Sequence, residues 1–204
     1  MSNFYLDVLK DRLYCEKTDG TLRRAAQSTM YIILNDITKL LAPILAFTSE
    51  EIWENMAHLD TDNAEHVLLN DMPKKEGICV DDAFMEKWDT LHKIRDAVKK
   101  VLEELRATKE IGSSLDADVT LYAEGDLYNF IESVKDILPQ ILIVSRVNIV
   151  NAKGGKYDDE FEGLGIEAKK AGGCKCARCW TYSDSVGKNS EHPDICERCA
   201  KVID

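Results

Sequence analysis

The sequence contains no run of eighteen apolar residues, which leaves no candidate for a membrane-spanning helix. Its most apolar stretch, Ile137 to Val150, is interrupted by Pro139, Gln140, Ser145 and Arg146. The N-terminus lacks the basic-then-apolar pattern of a signal peptide, so a cytoplasmic chain is expected. A glycine-rich nucleotide loop is missing too. Positive charge is scarce. There are 26 Lys and Arg against 37 Asp and Glu, a net charge of -11. That balance argues against a bulk nucleic-acid binder and leaves only a local basic surface open.

The 204 residues are enough for one sizeable core or two to three small units. Apolar residues make up 45% and charged residues 31%, as in an ordinary soluble globular protein. The first half has helical periodicity. Asn3 to Lys17 places Phe4, Val8, Leu9 and Leu13 near one face, and Thr18-Asp19-Gly20 breaks it. Leu22 to Ala46 carries Ala26, Met30, Ile33, Ile37, Leu40, Leu41 and Ile44 at helical spacing, with Pro43 placed to kink or end it. Thr48 followed by Glu51 reads as a capping box, with Phe47 and Ile52 as its hydrophobic staple. The next helix is therefore expected over about Ser49 to Met56. Leu59 to Gly77 reads as loop, with a short extended piece at Val67 to Leu69. A long helix follows over about Asp82 to Lys109, with Phe84, Trp88, Leu91, Ile94, Val98, Val101, Leu102 and Leu105 as its stripe and Gly112 as its stop.

The pattern then changes. Val119, Leu121 and Ala123 alternate with Thr120 and Tyr122, which predicts a strand. Asp126 to Leu138 reads as a helix ended by Pro139, and Ile141 to Asn151 as one or two strands. Gly154-Gly155 and the acidic stretch Asp158 to Glu162 read as linker. The expected fold is mainly α: an antiparallel helix bundle over 1–112, a small α+β unit over 113–152, a linker over 153–173 and a small four-cysteine zinc-binding domain over 174–204.

Seven cysteines in a cytosolic chain are poor candidates for disulfides, and five of them fall within residues 174 to 199. Cys176-Ala-Arg-Cys179 and Cys196-Glu-Arg-Cys199 are separated by sixteen residues. Two CxxC turns at this spacing can close a tetrahedron around one zinc ion. Four thiolates leave no open position for water, so the expected zinc is structural. It would also supply the stability that a segment of about thirty residues cannot get from its own core. Cys174 and His192 are alternative ligands, with Cys174 read as a bystander. Cys15 and Cys79 are isolated and read as apolar fillers or surface residues. A thiol-redox role for the CxxC pairs is the competing chemistry.

Residues 168 to 183 hold Lys169, Lys170, Lys175 and Arg178 and no acid. These cations either balance a four-thiolate site or contact phosphates. Trp180 and Tyr182 either cover the hairpin or stack on bases. Arg23 and Arg24 are further candidate RNA contacts, against the plainer reading of a solvated helix face.

Four blocks carry a family resemblance. Asn3 to Tyr14 (NFYLDVLKDRLY) and Leu41 to Trp53 (LAPILAFTSEEIW) resemble the anticodon-binding helix bundle of bacterial isoleucyl-tRNA synthetases, and the second block is shared with the valyl and leucyl enzymes. Lys109 to Ala117 (KEIGSSLDA) is similar to a stretch more particular to the isoleucyl enzyme. The two CxxC pairs resemble its C-terminal zinc domain. The resemblance implies a class I ligase that joins isoleucine to its tRNA with ATP, the helix bundle and C-terminal domains holding the anticodon stem and loop. It assigns the metal to Cys176, Cys179, Cys196 and Cys199. The HIGH-like and KMSKS-like signatures of the ATP site are not in this sequence, nor is an editing domain. The chain is therefore expected to be a C-terminal fragment, inactive alone and monomeric. Its partners would be isoleucine tRNA and the catalytic and editing domains of the parent protein.

Overall fold

The computed structural model describes residues 2–63, 65–74, 80–158 and 161–203. In chain order a π-helical turn, Ser2–Leu6, leads into α1 (Asp7–Cys15), followed by α2 (Thr21–Leu41), α3 (Ala46–Glu54) and α4 (Asp82–Ala107). Then come β1 (Ala117–Ala123), α5 (Gly125–Ser133), α6 (Leu138–Leu142), β2 (Arg146–Asn151), β3 (Lys156–Tyr157) and β4 (Gly165–Lys170). The chain continues with β5 (Cys174–Lys175), β6 (Tyr182–Ser183) and α7 (Glu197–Ile203). Helices dominate, beside two small sheets. Residues 1–17 with 80–204 form one compact unit, and residues 18–79 form a second.

In the larger unit, α4 starts where expected. Asp81 caps it, its carboxylate accepting the Phe84 N–H at 2.7 Å. The helix ends at Ala107, five residues before Gly112. Lys109 takes the left-handed conformation (φ 60°). The Lys109 N–H donates to the Arg106 carbonyl and the Glu110 N–H to the Leu105 carbonyl, which together close a Schellman motif. Leu91, Ile94, Ala97, Val98 and Leu102 are buried against Val119, Leu121 and Ile166 of the sheet and Ile131, Leu138 and Ile141 of α5 and α6. The stripe is thus closed by the sheet unit, while Phe84 at its N-terminal end stays exposed.

The main sheet has the order β2-β1-β4-β3. β1 and β2 are parallel, joined through α5 and α6 as a parallel pair requires. β4 runs antiparallel to β1 from Ala117↔Lys170 to Tyr122↔Gly165. The expected linker over 153–173 is therefore partly sheet. Its strand was hidden by flanking glycines and acids, but Ile166 and Ala168 alternate into the core. The close approach explains one glycine: a Cβ on Gly165 would lie 1.8 Å from the Gly154 carbonyl oxygen. Asp159 and Glu160 of the acidic stretch lie outside the described residues.

Pro139 begins a helix instead of ending one. It sits in the first turn of α6, where no N–H is needed, and Ile143 in the left-handed region (φ 57°) ends that helix. Ile141 and Leu142, expected in a strand, belong to α6.

In the smaller unit, α2 ends at Leu41, two residues before Pro43, as proline's missing N–H requires. The expected capping box at Thr48 does not form. The Leu45 carbonyl already accepts the Ser49 N–H at 2.9 Å, so α3 is under way at Ala46 and Thr48 is inside it. Phe47, the expected staple, is 94% exposed. Val67–Leu69 is a 3-10 turn instead of an extended piece, with the Val67 N–H donating to Glu50 Oε2. The interior of this unit comes from Ala42, Trp53 and Val67 together with a polar group. Lys39 and Asp62 pair at 2.7 Å with side chains only 11% and 6% exposed. Asn35 donates to Asp62, and Lys39 Nζ lies 5.3 Å from the centre of the Trp53 ring. Within this unit Ile37, Leu40, Leu41 and Ile44 of the expected α2 stripe are left at the surface, because Asn35 and Thr38 face the interior.

Candidate functional site

The cysteine-rich tail folds as a small hairpin and a short helix. β5 and β6 pair through Cys174↔Ser183 and Lys175↔Tyr182. The turn between them carries Cys176 and Cys179. The Cys176 N–H donates to the Thr181 carbonyl and the Trp180 N–H to the Cys176 carbonyl, both at 2.9 Å. Trp180 accepts φ 65° to complete the turn, a conformation costly for any side chain. Cys196 immediately precedes α7 and Cys199 lies in its first turn, where helical N–H groups favour negative sulfur.

These two pieces bring Cys176, Cys179, Cys196 and Cys199 together, all buried, with the four sulfurs within 4.8 Å of one another. A tetrahedron with Zn–S bonds of about 2.3 Å has S···S edges of about 3.8 Å. The Cys179 and Cys196 sulfurs are 3.7 Å apart, so the donor set fits zinc. Outer contacts are in place as well. The Cys196 N–H donates to Cys176 Sγ at 3.3 Å, and Thr181 Oγ1 lies 3.0 Å from Cys179 Sγ. Burial works to raise the Cys176 thiol, yet backbone N–H groups of Cys179, Cys196 and Arg178 bring it down to about 6. Burial raises Cys196 and Cys199 instead. A divalent cation would complete this buried group of four sulfurs.

Cys174 lies exposed on β5 outside this group, and His192 contributes no atom to it. Cys79 lies outside the described residues. Cys15, 161 positions before Cys176, is buried against the four sulfurs. Burial, with the charges of Asp11 and Cys179, pushes its thiol up to about 11, so it is an inert neighbour. No sequence signal pointed to this placement.

The candidate RNA contacts divide. Arg178 turns inward: its Nη1 donates to the Cys15 carbonyl at 2.6 Å. Trp180 is 62% exposed beside the knuckle. Tyr182 is half-buried, its N–H donating to Ser145 Oγ and its ring lying 5.8 Å from Lys175 Nζ. Lys175 also pairs with Asp116 at 3.3 Å, while Lys169 and Lys170 are exposed on β4. Arg23 and Arg24 lie in the first turn of α2, Arg23 half-buried and Arg24 exposed, in the other compact unit. Arg198, which sequence reasoning passed over, makes a bidentate pair with Asp11 of α1.

Residues 1–121 match the family model described as the anticodon-binding domain of tRNA ligase. The chain belongs to this family. Residues 173–202, which span the four sulfurs, match a zinc finger found in FPG and IleRS. Similar proteins agree across the whole chain. It is 45% identical over 204 residues to an isoleucine–tRNA ligase of Caldicellulosiruptor saccharolyticus, covering all of this chain and 21% of that protein. It is 45% identical over 208 residues to the enzyme of the same name from Caldanaerobacter subterraneus subsp. tengcongensis, and 40% to that of Desulfitobacterium hafniense, each covering all of this chain and 22% of the relative. The chain thus spans about a fifth of the length of the curated relatives it matches. Among the described residues no helix is long and apolar enough to cross a membrane.

Proposed function

We propose that this anticodon-binding chain is the C-terminal tRNA-binding region of a cytoplasmic, monomeric isoleucine–tRNA ligase. It holds the anticodon stem and loop while a catalytic domain outside this chain uses ATP to charge the tRNA. One zinc ion on Cys176, Cys179, Cys196 and Cys199 plays a structural part, fixing the hairpin to α7. The observation that carries this reading is the joining, in one chain, of an anticodon-binding domain to four buried sulfurs at zinc-binding distances. Trp180 and Tyr182, with Lys175 beside them, offer the aromatic and cationic groups that suit an RNA loop. Arg23 and Arg24 are a second proposed contact.

The test is filter binding of an isoleucine tRNA transcript by the zinc-loaded chain at several salt concentrations. Weak binding that fades with salt is expected from so acidic a protein. No binding at low salt sinks the reading, and tight binding indifferent to salt sinks its electrostatic part. The chain alone should not attach isoleucine to tRNA.

A second reading makes the zinc unit a zinc-stapled structural or protein-docking module without direct RNA contact. The inward turn of Arg178 and the Arg198–Asp11 pair favour it, since both cations serve α1. A footprint on the tRNA that is unchanged when residues 174–204 are altered would select it.

A further inference from the structure

Away from the sulfurs, α4 carries three cations on one stripe. Arg95, Lys99 and Arg106 are spaced four and seven residues apart, so they follow one another along a single helix face. They line a cavity of about 240 Å³ together with Ser114.

Arg95 is the unusual member. Only 6% of it is exposed. Its Nε donates to the Ile141 carbonyl at 3.0 Å, and the guanidinium lies 5.0 Å from the centre of the Phe4 ring. Its two terminal nitrogens make no hydrogen bond among the described residues. These nitrogens are not cut off from solvent: they open on the cavity, where an acceptor can reach them. Lys99 reaches one carboxylate, Asp96, at 3.8 Å. Arg106 donates to Ser114 Oγ at 2.6 Å and pairs with Glu103, while its Nε is buried with no acceptor.

The acids on the cavity wall are Asp7 and Glu103. Asp7 is also held by Lys10 at 2.7 Å. With Asp96 beside Lys99 and Lys10 beside Asp7 included, four cations stand against three acids in and around the cavity, a local excess of positive charge on a chain whose net charge is -11. Forked guanidinium donors and an ammonium, converging with a hydroxyl, match the several oxygens of a phosphate.

We propose that this cavity receives a backbone phosphate of the bound tRNA, held by Arg95, Lys99 and Arg106. The inference rests on the RNA-binding reading above and adds a grip remote from the zinc ligands in sequence. A phosphate contact positions RNA without reading its sequence. Its loss therefore weakens cognate and unrelated RNA alike.

The test uses the zinc-loaded 204-residue chain with two probes, an isoleucine tRNA transcript and an unrelated tRNA transcript. Lys99→Gln and Arg106→Gln are compared with Lys93→Gln, an exposed cation on another face of α4. Each cavity variant should lose about five- to tenfold in affinity for both RNAs. Each should also lower the slope of log affinity against log salt by about one. Lys93→Gln should change affinity less than about twofold. Lys99 is exposed, so its variant keeps the test open should Arg106→Gln fold poorly. If the chain binds tRNA and both cavity variants keep its affinity and salt slope, the phosphate site is overturned and the RNA-binding reading stands. If the chain binds neither RNA, that reading falls and the RNA phosphate falls with it. Titration with inorganic phosphate, followed at the Ser114 amide and the Arg106 Nε–H by NMR, then shows whether the cavity takes any anion.

Discussion

Arg198 donates through both terminal nitrogens to the two carboxylate oxygens of Asp11, each at 2.6 Å, across 187 residues of chain. The pair ties α7, the helix of the second CxxC, to α1 at the other end of the sequence. Arg178, from the first CxxC, donates to the carbonyl of Cys15 at the last turn of the same helix. Cations near a helix C-terminus also answer the partial negative charge of its free carbonyls. Both cysteine turns therefore grip one short helix.

Asp11→Ala should loosen that grip without dissolving the metal site. Both side chains are partly open to water, so the loss is about 1 kcal/mol. Hydrogen exchange should quicken at the C-terminal amides of α1, with zinc content unchanged. Loss of zinc in this variant would show that the pair supports the ligands themselves.

Metal removal reverses the order of effects. About one zinc per chain is expected by elemental analysis, and Cys196→Ser should abolish it. Chelation should release exchange protection first in residues 174–203, because the core of so small a segment is built around the four sulfurs, with Val186 and Ile195 packed against them. The α1 amides near Cys15 should follow, since Arg178 and Arg198 lose their fixed positions. The sheet around Val119 and Leu121 should keep its protection, as its core lies elsewhere. A chain that keeps full protection without metal would count against a zinc-dependent tail.

What could be read from the sequence was whatever a short stretch of chain decides. The CxxC pairs announced the sulfur group because a tight turn places both thiolates on one ion. α4 announced itself through its unbroken stripe. β4 stayed hidden because only Ile166 and Ala168 mark its buried side, and its pairing with β1 lies some fifty residues away. Cys15 could not be placed because its position follows from where α1 docks. The direction of Arg178 was illegible for the same reason. Its charge beside Trp180 looked available to RNA, yet its direction is set by the carbonyl of Cys15. The capping box at Thr48 failed because the turn after Pro43 had already supplied the first carbonyl of the helix.

Trp180 and Arg178 should part company under mutation. Trp180→Ala removes a mostly exposed ring held outward at φ 65°, so zinc content and folding should stay unchanged. Affinity for isoleucine tRNA should fall about tenfold, within the range for one lost base stack. Arg178→Ala should disturb exchange at α1 more than it disturbs tRNA affinity. Equal affinity in Trp180→Ala and the parent chain would assign that ring to the protein surface alone.

The smaller unit offers a pH test. Burial works to raise the Asp62 carboxyl, but hydrogen bonds from Lys39, the Leu59 N–H and Asn35 outweigh it and hold it below the ordinary carboxylate value. The unfolded chain therefore binds the proton more readily than the folded one, and stability rises with pH across this window. The contribution is fully present above the unfolded value of about 3.9 and is lost as pH falls through the lower folded value. Asp62→Ala should cost about 3 kcal/mol near neutral pH, because it strands Lys39 against Trp53 with no carboxylate. The double variant Asp62→Leu with Lys39→Met should recover most of that loss, since two apolar groups of similar size replace a buried pair with little penalty. Hydrogen exchange at α2 and α3, followed from pH 7 down to pH 3, measures both effects. A double variant as unstable as Asp62→Ala would mean that the geometry of the polar group, and not its charge balance, holds this unit together.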